Sequence, residues 1–317
     1  SHPTCVLFYP ILYLKNIPDG FTIFGMEVKL YGIVIAFGFL LAYWIATRDA
    51  KRTGQDPELY LDYLLCMIVP AILCARIYYI VFSWDYYFVP GAGIGETILR
   101  LINIREGGLA IYGGIIGGAI VCVLFARKRK VSVLTMTDTI LLGVPLAQAI
   151  GRLGNFFNRE AFGDYTNSLL AMAIPLEYYE KKGTLFAFRF EGIITAEMMT
   201  NVVDGCIRVH PTFLYEALWN IALFAFLMFW RKRKKFDGEI LALYLGGYGL
   251  GRFWIEGLRT DPLLIGQTNL RVSQLLAICL VAASVVFYLL RLRQYRRQSV
   301  ETGGETQDVV EQESSDN

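Results

Sequence analysis

The sequence predicts an all-α polytopic membrane protein with about seven transmembrane helices, its N-terminus outside and its C-terminus cytoplasmic. Three observations carry that prediction. Hydrophobic residues make up 55% of the 317 positions, and the mean hydropathy is +0.44. They come in long blocks and not interleaved with charge, as a soluble domain of this length would have them. Basic residues gather after alternate blocks.

Seven blocks reach the roughly 20 residues that a bilayer crossing needs. They cover residues 28–47, 59–81, 109–126, 131–150, 212–230, 239–255 and 272–290. The second is the weakest, because Asp62, Pro70 and Arg76 interrupt it. Only Arg127, Lys128, Arg129 and Lys130 separate the third from the fourth, which predicts a tight helical hairpin.

Orientation follows from the loops. Arg48, Lys51 and Arg52 come after the first block and Arg127 to Lys130 after the third. Arg231, Lys232, Arg233, Lys234 and Lys235 come after the fifth, and Arg291, Arg293, Arg296 and Arg297 after the seventh. All four clusters fall on one side of a seven-span arrangement, and the excess of Lys and Arg makes that side cytoplasmic. Residues 1–27 are then an extracytoplasmic N-terminal segment, and 28–163 hold the first four helices. Residues 164–209, polar and mixed, form a small extracytoplasmic subdomain, and 210–298 hold the last three helices. Residues 299–317 carry six acidic side chains and no basic one, predicting a disordered cytoplasmic tail.

Metal chemistry built on histidine is disfavoured, since the chain has only His2 and His210. Six scattered cysteines show no metal-ligand spacing and read mostly as small buried apolar residues. Cys5 and Cys206 both fall in segments assigned to the outside, so a disulfide between them stays open. No cofactor and no nucleic-acid partner is implied, and the oligomeric state is not legible.

Polar residues at span ends need a reason, because desolvating them is expensive. Three clusters stand near the outer ends of their spans. Residues 151–163 pack Arg152, Asn155, Asn158, Arg159 and Glu160 among glycines and aromatics. An arginine fork suits phosphate oxygens, and snorkelling interfacial arginines are the plainer alternative. Tyr248, Arg252, Glu256 and Arg259 are spaced i, i+4, i+8, i+11 and share one helix face. Arg252 and Glu256 there fit either a structural ion pair or a functional arginine held by its carboxylate. Around Arg105 and Glu106 lies the third cluster, with Gly113/Gly117 and Gly114/Gly118 as two overlapping close-packing pairs. Tyr112 in it stands open between a belt aromatic and a catalytic phenol. Tyr31-Gly32 and His210, which precedes Pro211 at the start of the fifth block, are weaker signals, read first as packing and capping.

Channels and transporters also carry intramembrane arginines, but here the polar residues sit at one depth and no duplication of halves is visible. A retinal protein is excluded by the absence of lysine from the last block.

Taken in order, these motifs resemble the bacterial prolipoprotein diacylglyceryl transferases. The resemblance rests on Tyr31-Gly32, on the Gly-Arg-x-Gly-Asn-Phe-x-Asn-x-Glu core ending at Glu160, with Gly163 closing the block, on His210-Pro-Thr-x-Leu-Tyr-Glu216, and on Tyr248-Gly-x-Gly-Arg-Phe-x-x-Glu256-x-x-Arg259. It extends over about residues 25 to 295. It implies transfer of the diacylglyceryl group of phosphatidylglycerol to the lipobox cysteine of preprolipoproteins, with glycerol phosphate released, in the bacterial inner membrane and toward its outer face. The expected catalytic residues are Arg152, Arg252, Tyr112, Asn155 and Glu160, with Glu160 and Glu256 orienting the arginines. Tyr31, Gly163, His210, Tyr248, Glu256 and Arg259 are expected to bind substrate. One departure stands out. Many members have a histidine, proposed as the base, where this chain has Tyr112, and a phenol holds its proton more firmly than an imidazole. A carboxylate, or direct ionisation of the thiol near the arginines, are the other routes.

Overall fold

A computed structural model describes residues 12–13, 18, 20–23, 26–88, 91, 93–103, 108–258 and 272–315. Cys5, Arg105, Glu106 and Arg259, singled out above, lie outside these residues. The chain falls into two compact units, one of residues 43–140 and one of residues 1–42 with 141–317.

The first strands, β1 (Leu12–Tyr13), β2 (Gly20–Ile23) and β3 (Met26–Lys29), lead into α1 (Leu30–Arg52). Next come α2 (Glu58–Phe82), α3 (Trp84–Tyr87), α4 (Ile94–Ile102), α5 (Ile111–Arg129), α6 (Val133–Leu141) and α7 (Val144–Asn158). The middle segment holds β4 (Met172–Pro175), α8 (Leu176–Lys181), α9 (Leu185–Phe190), α10 (Ala196–Thr200) and β5 (Cys206–Val209). Three long helices close the chain: α11 (Thr212–Trp230), α12 (Glu239–Glu256) and α13 (Val272–Ser315).

Length and apolarity mark five of these as able to cross a membrane: α1, α2, α5, α11 and the 273–300 part of α13. The pair α6 and α7 makes a sixth if counted as one broken span. The expected straight fourth helix is thus interrupted at Leu142-Gly143, where a Cβ on Gly143 would lie 2.7 Å from Ala42 Cα. The block expected as the sixth span is α12, which stays outside that count and carries Glu239, Arg252 and Glu256.

One expectation needs correction. The fold is not purely helical. Strands β1, β4 and β5 form a three-stranded sheet, β1 parallel to β4 and β4 antiparallel to β5, and β2 pairs with β3 as a hairpin. Helix α13 runs on into the acidic stretch as far as Ser315.

In the 43–140 unit, α2 and α5 lie against each other. A Cβ on Gly113 would sit 2.4 Å from Cys74 O and one on Gly117 2.9 Å from Cys74 Cβ, whereas Gly114 has nothing nearer than 3.8 Å. The close seam is therefore Gly113/Gly117. The weak second block becomes one unbroken helix because its polar residues find partners. Asp62 pairs with Arg129. Buried Arg76 donates to the carbonyls of Arg100 (2.7 Å), Leu101 (3.0 Å), Asn103 (3.0 Å) and Gly108 (2.9 Å). The guanidinium thus caps the C-terminus of α4, where a cation also meets the helix dipole favourably.

In the other unit, Met172, Ile174, Tyr179, Ile194, Met198, Ile207 and Val209 form a core with Phe162 and Phe213. This core holds the 164–209 segment against the loop after α7. Tyr179 OH donates to Arg159 O (2.6 Å), and the Arg159 guanidinium lies 4.1 Å over the Tyr178 ring. Burial pushes the Tyr179 phenol up from its ordinary value, so it stays a donor.

At the far end of α12, Glu239 is completely buried. It accepts from Lys235 N (2.6 Å), Trp230 Nε1 (3.0 Å) and Tyr288 OH (3.3 Å), tying α11, α12 and α13 together. Glu239→Ala removes the buried carboxylate that these three donors share and is predicted to destabilise the protein by about 2–4 kcal/mol. A melting curve in detergent that matches the wild type would refute this.

Candidate active site

The site begins on α7. Its last two turns present Arg152 and Asn155 one turn apart, and the helix stops where Arg159 adopts a left-handed φ of 53°. The turn folds Glu160 back toward the helix, with its N–H donating to Asn155 O at 3.1 Å. Side chains then link in series. Arg152 Nη1 donates to Asn155 Oδ1 (3.3 Å), and Asn155 Nδ2 donates to Glu160 Oε1 (3.1 Å). Asn158 Nδ2 reaches the same oxygen at 3.2 Å.

Helix α11 lies between α7 and α12, in contact with both. One turn inside it, Glu216 joins the two arginines. One carboxylate oxygen pairs with Arg152 Nε, and the other takes Arg252 Nη1 at 2.8 Å. On α12, Arg252 Nη2 reaches Glu256 Oε2 at 2.8 Å. The i, i+4 spacing on one helix face makes that pair, as the sequence implies. Glu256 is 2% exposed and Glu216 8%, while Arg152 is the most open of the four at 24%.

Sequence reasoning missed Glu216 as a site residue. The signal was a carboxylate five residues after Pro211 in an otherwise uncharged helix, but nothing local says which arginines it faces. Glu256 contacts Arg252 directly, whereas Glu160 is linked to Arg152 through Asn155.

Tyr31 joins this group. Its ring lies where a Cβ on Gly154 would approach to 2.3 Å, and the phenol is within electrostatic reach of Glu160 and Arg152. Gly163 is pinned between helix ends. Its N–H donates to His210 O (2.9 Å), and a Cβ there would lie 2.7 Å from His210 Cβ and 2.9 Å from Leu258 O. His210 Nδ1 meets Tyr215 OH at 3.0 Å, a junction role at the entry to α11. Tyr248 stacks on Tyr244 at 6.0 Å, one turn before Arg252. Tyr112 belongs to the 43–140 unit, where it is 40% exposed at the start of α5 with its ring 6.3 Å from that of Tyr78.

Burying two carboxylates against two partly buried guanidinium groups is costly to stability compared with apolar packing. Ionisable groups within a membrane protein are rare and make this centre the candidate site. The arrangement suits an anionic, oxygen-rich group that the arginines can clamp in fork fashion.

Fold and site together define a polytopic membrane enzyme with a buried arginine–carboxylate centre. Residues 18–290 match the family model for prolipoprotein diacylglyceryl transferase, and the chain belongs to that family. The phosphatidylglycerol–prolipoprotein diacylglyceryl transferase of Clostridioides difficile is 39% identical over 270 residues, covering 85% of this chain and 93% of the relative. The enzyme of the same name from Finegoldia magna is 39% identical over 284 residues, covering 89% and 97%. That from Bacillus cereus is 40% identical over 267 residues, covering 83% and 88%.

Proposed function

We propose that this chain moves the diacylglyceryl group of phosphatidylglycerol onto the lipobox cysteine thiol of preprolipoproteins, the first step of lipoprotein maturation. The observation that carries the chemistry is the Arg152–Glu216–Arg252 bridge. The cysteine sulfur, as thiolate, attacks the glycerol carbon that bears the phosphate. A C–S bond forms, the C–O bond breaks, and its electron pair leaves on the oxygen of glycerol phosphate. Arg152 and Arg252 stabilise the charge that grows on this leaving group. Asn155 donates to the head group, Glu160 fixes Asn155, and Glu256 holds Arg252. Tyr31, Gly163, His210 and Tyr248 shape the substrate pocket, and Arg259 guides the head group.

The basic clusters support a cytoplasmic side for the loops after α1, α5 and α11 and for the region after residue 290. The site then lies at the outer face of the bacterial cytoplasmic membrane, where lipid and lipobox helix enter sideways from the bilayer.

The test is a mass assay on purified protein in phosphatidylglycerol micelles with a single-cysteine lipobox peptide. A diacylglyceryl mass gain that disappears with a Cys→Ala peptide supports the reaction. No gain with folded protein leaves only an anion- or lipid-binding membrane protein. In the same assay, Tyr112→Phe is predicted to lower kcat about a hundredfold if the phenol accepts the thiol proton. An unchanged rate assigns that proton to a carboxylate or to direct ionisation beside the arginines.

A further inference from the structure

The positive charge of the polar centre is already matched. Among the described residues, two guanidinium groups face the carboxylates of Glu216 and Glu256, and a third carboxylate, Glu160, joins through Asn155. A phosphate anion entering this centre adds negative charge where the positive charge is matched, and it must leave water to do so. Its entry becomes favourable when one carboxylate gives up its guanidinium contacts.

Geometry singles out which one. Glu256 is 2% exposed and lies on the same helix as the arginine it holds, so backbone spacing keeps it in place. Glu216 alone takes both arginines, one on each oxygen, across three helices. Two anionic oxygens shared between two forks are also what a phosphate group presents. Arg152, the most open member, gives access to this position from outside the cluster.

We infer that Glu216 is a displaceable counter-ion, occupying in the resting enzyme the place between Arg152 and Arg252 that the substrate phosphate takes over. It holds the two forks at a fixed separation before substrate arrives, and it weakens anion binding because the phosphate must compete with it. Glu216 is thus a positioning residue that trades ground-state affinity for a preformed site. This rests on the proposed role of the arginines as phosphate clamps. The shared ligand chemistry is a phosphate ester, from the lipid head group or from free glycerol phosphate.

The experiment uses the full chain in detergent micelles as wild type, Glu216→Gln and Glu216→Asp. Glycerol phosphate binding is measured by calorimetry, with glycerol as the uncharged control, and KM and kcat are measured with phosphatidylglycerol and lipobox peptide. The glutamine keeps the shape and removes the charge. It is expected to bind glycerol phosphate about tenfold more tightly and to lower KM, while kcat falls because the forks are no longer held. The aspartate, one methylene too short to reach both arginines, is expected to shift both quantities the same way by a smaller factor. A purely structural Glu216 predicts the opposite, weaker anion binding and a raised KM as the arginines swing apart. That outcome, or unchanged affinity together with an unchanged KM in a variant with wild-type melting, overturns the inference, and the aspartate decides it should the glutamine variant not fold. Tighter binding of glycerol phosphate supports displacement by the phosphate itself, and a fall in KM alone supports displacement by the intact lipid head group. Wild-type protein that transfers nothing defeats the proposed reaction, while the calorimetry still decides the role of Glu216.

Discussion

Arg252→Ala is predicted to lower kcat/KM for diacylglyceryl transfer by about a thousandfold, the scale seen when a charged donor to a developing anion is removed. The substitution removes the fork that spans Glu216 at 2.8 Å and Glu256 at 2.8 Å. Two buried carboxylates then lose a cation, which destabilises the protein by about 3–5 kcal/mol. Activity and stability must therefore be read together, by steady-state kinetics beside a melting curve in detergent. Arg252→Lys separates the two effects. It keeps the charge, but one ammonium cannot reproduce two divergent N–H contacts, so activity should fall with most of the stability retained. Full activity in folded Arg252→Ala would remove the residue from the reaction.

Gly113→Val should strongly destabilise the 43–140 unit, and Gly114→Val, one position along, should be nearly silent. A Cβ at Gly113 would stand 2.4 Å from Cys74 O and 2.7 Å from Ala75 Cα, both backbone atoms that cannot turn aside. Relief requires α2 and α5 to separate, losing the contacts along the whole seam. Overpacking of this kind costs about 1–3 kcal/mol and sometimes more. At Gly114 the nearest atoms are 3.8 Å away, ordinary van der Waals contact. The measurement is the unfolding midpoint of the two variants in the same detergent. Equal midpoints would mean that the seam does not run through Gly113.

The membrane character was legible in the chain because apolar length and basic clustering are local properties. The block at 212–230 returns as α11 with the same limits, and the 59–81 block returns as α2. The Arg252–Glu256 pair was legible too, since four residues is one helical turn. Arg152, Asn155 and Glu160 could be named from their motif, but their order of linkage could not.

What local spacing does not encode is which helix meets which. Arg252 and Glu216 stand 36 positions apart, and their contact depends on α11 lying beside both α7 and α12. Arg76 looked like a flaw in its span until the backbone of Arg100, Leu101, Asn103 and Gly108 closed around it. Between two overlapping glycine pairs, packing against Cys74 chose Gly113/Gly117, a rotation about the helix axis that composition leaves undetermined. The sheet that brings Leu12 beside Met172 is likewise a long-range pairing with no periodic signal in two or four residues. Apolar periodicity and motif chemistry reside in neighbouring residues and therefore determine which elements form and which side chains carry charge. The partner of each charge is decided by the packing of distant elements, because a buried ion is stable only where the folded chain supplies its counter-ion.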